Sequence, residues 1–130
     1  MVPAGLVLDD HSIAVKDKKI IAVCGTAQAR KTIRATQTIE LPQHVLIPGL
    51  VNAHGHAPMA LFRGVADDIP LKQWLEEHIW PLEGKLVDRQ FVHEGASLAI
   101  AEMISGGITC FADMYFYPGE VAKAALDAHI

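Results

Sequence analysis

Cysteine is scarce in this chain. There are two in 130 residues, Cys24 and Cys110, far apart and neither in a CxxC pair. That leaves no disulfide framework and predicts two reduced core thiols. A block of like charge is missing too, and the formal net charge is −4. This argues against nucleic acid as a partner, because phosphate binding needs a basic face. No apolar stretch approaches the ~20 residues that span a bilayer. The start, Met1-Val2-Pro3-Ala4-Gly5, has no basic segment followed by an apolar one, so no secretory signal is expected. Internal repeats and low-complexity segments are also lacking. The expectation is a cytoplasmic protein that uses neither nucleic acid nor membrane.

What is present is a hydrophobic half and a charged fifth, 51% and 20% of residues. That balance belongs to an ordered globular chain. Two textures divide it, 1–43 and 44–130. The first is β-like. Leu6-Val7-Leu8 and Ser12-Ile13-Ala14-Val15 are short apolar runs, and Lys16-Asp17-Lys18-Lys19 is a charged turn. Ile20 to Cys24 reads as a strand, Ala27 to Lys31 as a helical turn, and the β-branched run Thr32 to Leu41 as a further strand.

From residue 44 the pattern is strand, loop, helix, strand, helix. An apolar run enters Val51. Pro70 opens a helix whose Leu71, Trp74, Leu75 and His78 share a face, and Pro81 is expected to end it. A longer helix is expected from Asp88, a plausible N-cap, to Ser105. Its stripe is Phe91, Val92, Ala96, Ala99, Ile100, Met103 and Ile104, and Gly106-Gly107 stops it. Ile108 to Ala112 reads as a second buried strand, and Val121 to His129 as another helix. Strand–helix alternation implies an α/β fold with a parallel sheet. Two parallel strands cannot cover both their faces, and a (β/α)8 barrel needs roughly 250 residues. The chain is therefore expected to be too short to finish what it starts.

The most informative run is His44 to His56. An apolar strand passes Pro48-Gly49 and ends in His54-Gly55-His56. Side chains two apart in an extended segment point to the same side. Two neutral imidazoles there can reach one metal ion, with the small Gly55 between them. The competing reading is two polar loop histidines in water. Asn52 is either an orienter of a ligand histidine or a turn residue. A catalytic zinc keeps three protein ligands and an open position, so two histidines leave the site incomplete. His78 and His93 lie on helices and are expected to be packed or solvated. His11, His44 and His129 have no supporting pattern. Asp113 either serves the active-site face or starts a loop.

The run Pro48 to Met59 resembles the metal motif of the amidohydrolase superfamily. Its continuation resembles the deaminase and chlorohydrolase branch, which holds 5′-methylthioadenosine/S-adenosylhomocysteine deaminases and triazine hydrolases. The residues concerned are Leu61 to Asp68, Trp74-Leu75, Trp80 to Glu83, and Gly106 to Tyr115. The likeness covers about 44–118, and 6–43 fits the small β-sandwich domain that flanks the barrel in this family.

The resemblance implies a metal-dependent hydrolase of C–N bonds in a (β/α)8 barrel. Residues 1–43 would be part of the sandwich and 44–130 the first two β/α units. It implies one divalent metal, zinc or alternatively Fe2+, with His54 and His56 as its first-strand ligands. No catalytic acid–base residue is expected within this chain. Glu83 matches the position that hydrogen-bonds ribose hydroxyls; without the family it would read as a solvated charge. Trp74 lines the pocket by the same analogy, or packs a core. The implied reaction is metal-assisted deamination of an adenosine-type nucleoside. Glu83 and Met114-Tyr115 favour such a substrate over a triazine, and full-length relatives are expected to be homo-oligomers. The alternatives are an inactive truncated remnant or a small metal-binding or interaction module. Met1-Val2-Pro3 is read as a late start that leaves the sandwich open, and an open sheet edge invites aggregation.

Overall fold

The structure is a computed structural model and describes residues 5–130. The late start expected at Met1-Val2-Pro3 lies outside the described residues. The chain divides into two compact units, Met1–Val45 and Leu46–Ile130.

In the first unit, β1 (His11–Lys16) and β2 (Lys19–Gly25) pair antiparallel, His11 opposite Gly25 and Lys16 opposite Lys19. Asp17 and Lys18 between them both take positive φ, 50° and 63°. That pair of left-handed residues matches the twist of a tight hairpin. The register shifts between Ala14 and Val15, so Val15 faces Ile20 and Ile21 is bulged out of the pairing. Helix α1 (Thr26–Thr32) follows at once, its first N–H bonded to the Asp10 carbonyl at 2.8 Å.

Two strand expectations fail here. Leu6-Val7-Leu8 lies outside any strand, with all three side chains exposed. Thr32 ends α1, and residues 33–41 join no ladder. β-propensity measures fit to a pleated, half-buried surface. No described strand runs beside this segment, so it has nothing to pair with. No residue from 5 to 45 is buried, as two strands and one short helix enclose no core.

In the second unit, β3 (Leu50–Asn52) and β4 (Ile108–Phe111) are parallel neighbours, with Asn52 opposite Phe111. The strand expected from residue 44 is therefore short at its start. Gly49 lies so close to the Thr109 side chain that a Cβ there has no room. Between the strands come a 3-10 helix (Ala57–Phe62), α2 (Leu71–Gln73), a π-helical segment (Trp74–Ile79), α3 (Trp80–Leu86) and α4 (Arg89–Ser105). Helix α5 (Pro118–Ala128) follows β4. The unit is mixed α/β.

Helix α4 organises this unit. The Asp88 carboxylate caps it, accepting the Phe91 N–H at 2.8 Å. Val92, Ala96 and Ile100 on one face bury against Val121 and Ala124 of α5. On another, Gly95 meets the 3-10 helix, where an added Cβ would lie 2.5 Å from the Pro58 carbonyl oxygen. Ile104 departs from the expected stripe and is exposed. Gly107, at φ +81°, turns the chain out of the helix into β4.

Pro81 does not end its helix, which is a second correction. A proline lacks the N–H of a normal turn and crowds the carbonyl four residues back. Here the preceding turn widens: the Trp80 N–H bonds the Leu75 carbonyl, five residues back. The wider turn accommodates the ring and the helical run continues to Leu86. A third correction concerns the thiols. Both are free, but Cys24 is half-buried and Cys110 exposed. Thr109 and Cys110 are exposed along β4 because the two-stranded sheet is left partly uncovered. Among the described residues, no helix is long and apolar enough to cross a membrane.

Glu120, at the start of α5, is a buried carboxylate. Lys123 and Arg89 donate to it at 2.9 and 3.0 Å. Those bonds, from Lys123 first, hold its pKa below the ordinary carboxylate value against the upward push of burial. A depressed folded pKa stabilises above the unfolded value, near pH 4, and that contribution is lost as pH falls through the folded value. Glu120→Gln is thus expected to lower the urea midpoint at pH 7 and to differ less from the parent at about pH 3. Equal midpoints at pH 7 would show that the two cations contribute nothing net.

Candidate active site

Both strands of the second unit deliver their C-terminal ends to one place. β3 ends at Asn52, whose Oδ1 accepts the His54 backbone N–H at 3.3 Å. Asn52 therefore shapes the loop backbone by a local side-chain turn and does not orient an imidazole ring. The pairing with the β4 side continues past both strands. The Ala112 N–H bonds the Asn52 carbonyl at 2.8 Å, and the Met114 N–H bonds the Gly55 carbonyl at 3.0 Å.

His54 and His56 come together as the i, i+2 spacing predicts, ring centres 5.1 Å apart and edge to face. The His56 Nδ1 lies 2.6 Å from the Met114 carbonyl oxygen. A carbonyl only accepts, so Nδ1 carries the proton and Nε2 keeps its lone pair. This is the arrangement in which an imidazole offers Nε2 to a metal while its other nitrogen is fixed from behind. The donor set therefore fits two ligands of a zinc-like ion. Among the described residues, no group of three or more histidine, cysteine, aspartate or glutamate side chains is placed to hold a metal.

Asp113 is engaged otherwise. Its Oδ1 accepts the Ala57 N–H at 2.6 Å and so anchors the first residue of the 3-10 helix beside His56. A cleft of about 360 Å³ borders His56, Asn52, Asp113 and Met103. His78 and His93 are half-buried on their helices, and His11, His44 and His129 are exposed.

Glu83 in α3 is half-buried and reaches the β4 loop: the Tyr115 hydroxyl donates to its Oε1 at 2.8 Å. Burial pushes the Tyr115 pKa up; the bond to Glu83, its charge and that of Asp113 push further the same way. The phenol is therefore protonated at neutral pH and is the donor. Sequence reasoning missed this pairing, since no local signal joins positions 83 and 115. Trp74 is half-buried, and its Nε1–H donates to the Val65 carbonyl at 2.9 Å. Its ring lines an open cleft of about 520 Å³ with Met59, Phe62, Arg63 and Leu71. Arg63 is in turn held by two bonds to Glu102, at 2.9 and 2.7 Å.

Known proteins share these features. The profile of the amidohydrolase family matches residues 45–130. A 5-methylthioadenosine/S-adenosylhomocysteine deaminase of Saccharophagus degradans is 48% identical over 126 residues, 97% of this chain and 28% of that protein. The crystal structure of an adenosine deaminase from Xanthomonas campestris with bound zinc superposes with a TM-score of 0.89 at 47% identity. It covers 95% of this chain and 28% of that one. A zinc complex of atrazine chlorohydrolase from Arthrobacter aurescens gives 0.74 at 26% identity, over 92% of this chain and 29% of that one. The chain thus spans less than a third of the length of these relatives. With its metal motif, its mixed α/β unit and this match over more than half its residues, the chain belongs to the amidohydrolase family.

Proposed function

We propose that the chain is part of a metal-dependent hydrolase that deaminates an adenosine-type nucleoside. The observation that carries this is the His54–His56 pair beyond a parallel strand, with His56 Nδ1 tied to Met114 and Nε2 left for a metal. In this reading residues 44–130 are the first two β/α units of a (β/α)8 barrel. Residues 1–43 are part of a flanking β-sandwich. The deaminase name of the Saccharophagus relative and the zinc in the two solved relatives support it. Imidazole suits zinc and iron alike; the zinc-bound relatives favour zinc. When bound, such a metal acts as a Lewis acid and lowers the pKa of a water to about 7.

The chain's own residues then have separate tasks. His54 and His56 hold the metal, and the Met114 carbonyl fixes the tautomer of His56. Asp113 keeps the 3-10 helix from drifting away from His56. Glu83 accepts hydroxyl protons from the sugar, a task a carboxylate suits because it offers several acceptor positions. Trp74 forms an apolar wall against the base. No side chain among the described residues is assigned the acid–base role.

The test uses the product of the complete reading frame that encodes residues 1–130. Ammonia release is measured from methylthioadenosine, S-adenosylhomocysteine and adenosine, with and without chelator. Turnover of at least one, lost with chelator and restored by zinc, is expected. Zinc-loaded protein that acts on none of the three, or turnover with no metal in the protein, would overturn the reading.

A further inference from the structure

We propose that Tyr115 is a positioning residue for Glu83, and that it sets the preference for a sugar carrying a vicinal diol. This rests on the reading of Glu83 as the sugar-binding carboxylate. A diol donates two hydroxyl protons, and accepting both requires a carboxylate whose plane is fixed. Glu83 has three side-chain torsions to fix. The Tyr115 hydroxyl removes that freedom by taking Oε1 at 2.8 Å. No donor among the described residues takes Oε2, which leaves it for a ligand.

The holder is itself held. The Tyr115 ring packs against the core of α4 and α5, and Phe116 meets it edge-on at 5.1 Å. A tyrosine has two torsions, and both are set by that packing. Its backbone belongs to a tripeptide with three anchors. Asp113 holds the Ala57 N–H, the Met114 carbonyl holds His56, and the Tyr115 hydroxyl holds Glu83. One loop therefore indexes the metal-ligand candidate and the sugar carboxylate on a common frame. The holder is also neutral. A lysine or arginine in its place would grip the carboxylate harder but offset the charge that attracts the sugar hydroxyls. A phenol orients the carboxylate and leaves it ionised.

The test is Tyr115→Phe in the product of the complete reading frame, assayed on adenosine and on its 2′,3′-dideoxy counterpart. The KM for adenosine is expected to rise roughly tenfold, the cost of one hydrogen bond to a charged group. Its kcat changes less than about twofold and the dideoxy KM stays level, so the preference for ribose falls roughly tenfold. Glu83→Gln is expected to erase the same preference, and the double variant to be no worse than Glu83→Gln alone. Tyr115→His keeps a ring N–H donor and recovers part of the preference. It carries the test if the Phe variant does not fold. If Glu83→Gln keeps the ribose preference, the reading of Glu83 is wrong and this proposal falls with it. If Glu83→Gln loses it but Tyr115→Phe keeps it, Tyr115 does not position Glu83 and the reading of Glu83 stands. Equal losses on both sugars, or lost metal, make Tyr115 a folding residue and overturn the proposal.

Discussion

Exchanging His56 for alanine is expected to strip the metal from the product of the complete reading frame. The kcat/KM for its nucleoside should fall by on the order of a thousandfold, the scale of several kcal/mol of lost charge stabilisation. The argument is geometric. His56 is the ring whose tautomer is fixed, by a 2.6 Å bond to the Met114 carbonyl. Its removal deletes a ligand and leaves that carbonyl without its donor. His54 has a neighbour in His56, 5.1 Å between ring centres, and His54→Ala should lose metal as well. His93→Ala, on α4 and away from the pair, should keep it. Zinc content and steady-state rates, measured on the same preparations, decide the matter. A His56→Ala protein with full zinc and full rate would reduce the pair to two solvated loop histidines.

The second large effect is expected from Gly95→Ala. In the middle of a helix this exchange normally stabilises by about 1 kcal/mol, through backbone entropy. Here the added Cβ would meet the Pro58 carbonyl oxygen at 2.5 Å and the Pro58 Cα at 2.9 Å. Both are backbone atoms, so no rotamer change relieves the contact and the 3-10 helix must move off α4. Overpacking of this kind costs about 1–3 kcal/mol, enough to turn the usual gain into a net loss. The 3-10 helix begins one residue after His56, so the shift should also weaken zinc binding. Thermal midpoints and zinc titrations read the two effects. A variant with a raised midpoint and unchanged zinc affinity would show that the two helices have slack between them.

These two sites were legible to different degrees. The histidine pair is visible in the sequence because an i, i+2 spacing is local. So is α4, since its cap at Asp88, its stripe and its Gly106-Gly107 stop are each encoded within a few residues. The tie from His56 to Met114 is not visible, nor is that from Glu83 to Tyr115. They span 58 and 32 positions and exist because β3 and β4 lie side by side. The failure at 33–41 has the same origin. Its β-branched residues report a taste for a sheet and cannot report whether a partner strand is there. Pro81 misled for another reason. Proline was read against an α-helical turn, and the turn before it is wider.

That wider turn reaches beyond the proline. Each residue of an α-helix advances the screw by about 100°. The surplus residue housed between Trp74 and Ile79 therefore changes the compass bearing of everything after it. Trp74 lies on one side of it and Glu83 on the other. Excise that residue, and a plain helix would swing the carboxylate into another quadrant, with every neighbouring codon intact. The angle between the cleft wall and the carboxylate is thus open to tuning by single-codon gain or loss inside a helix, where changes of length are otherwise poorly tolerated.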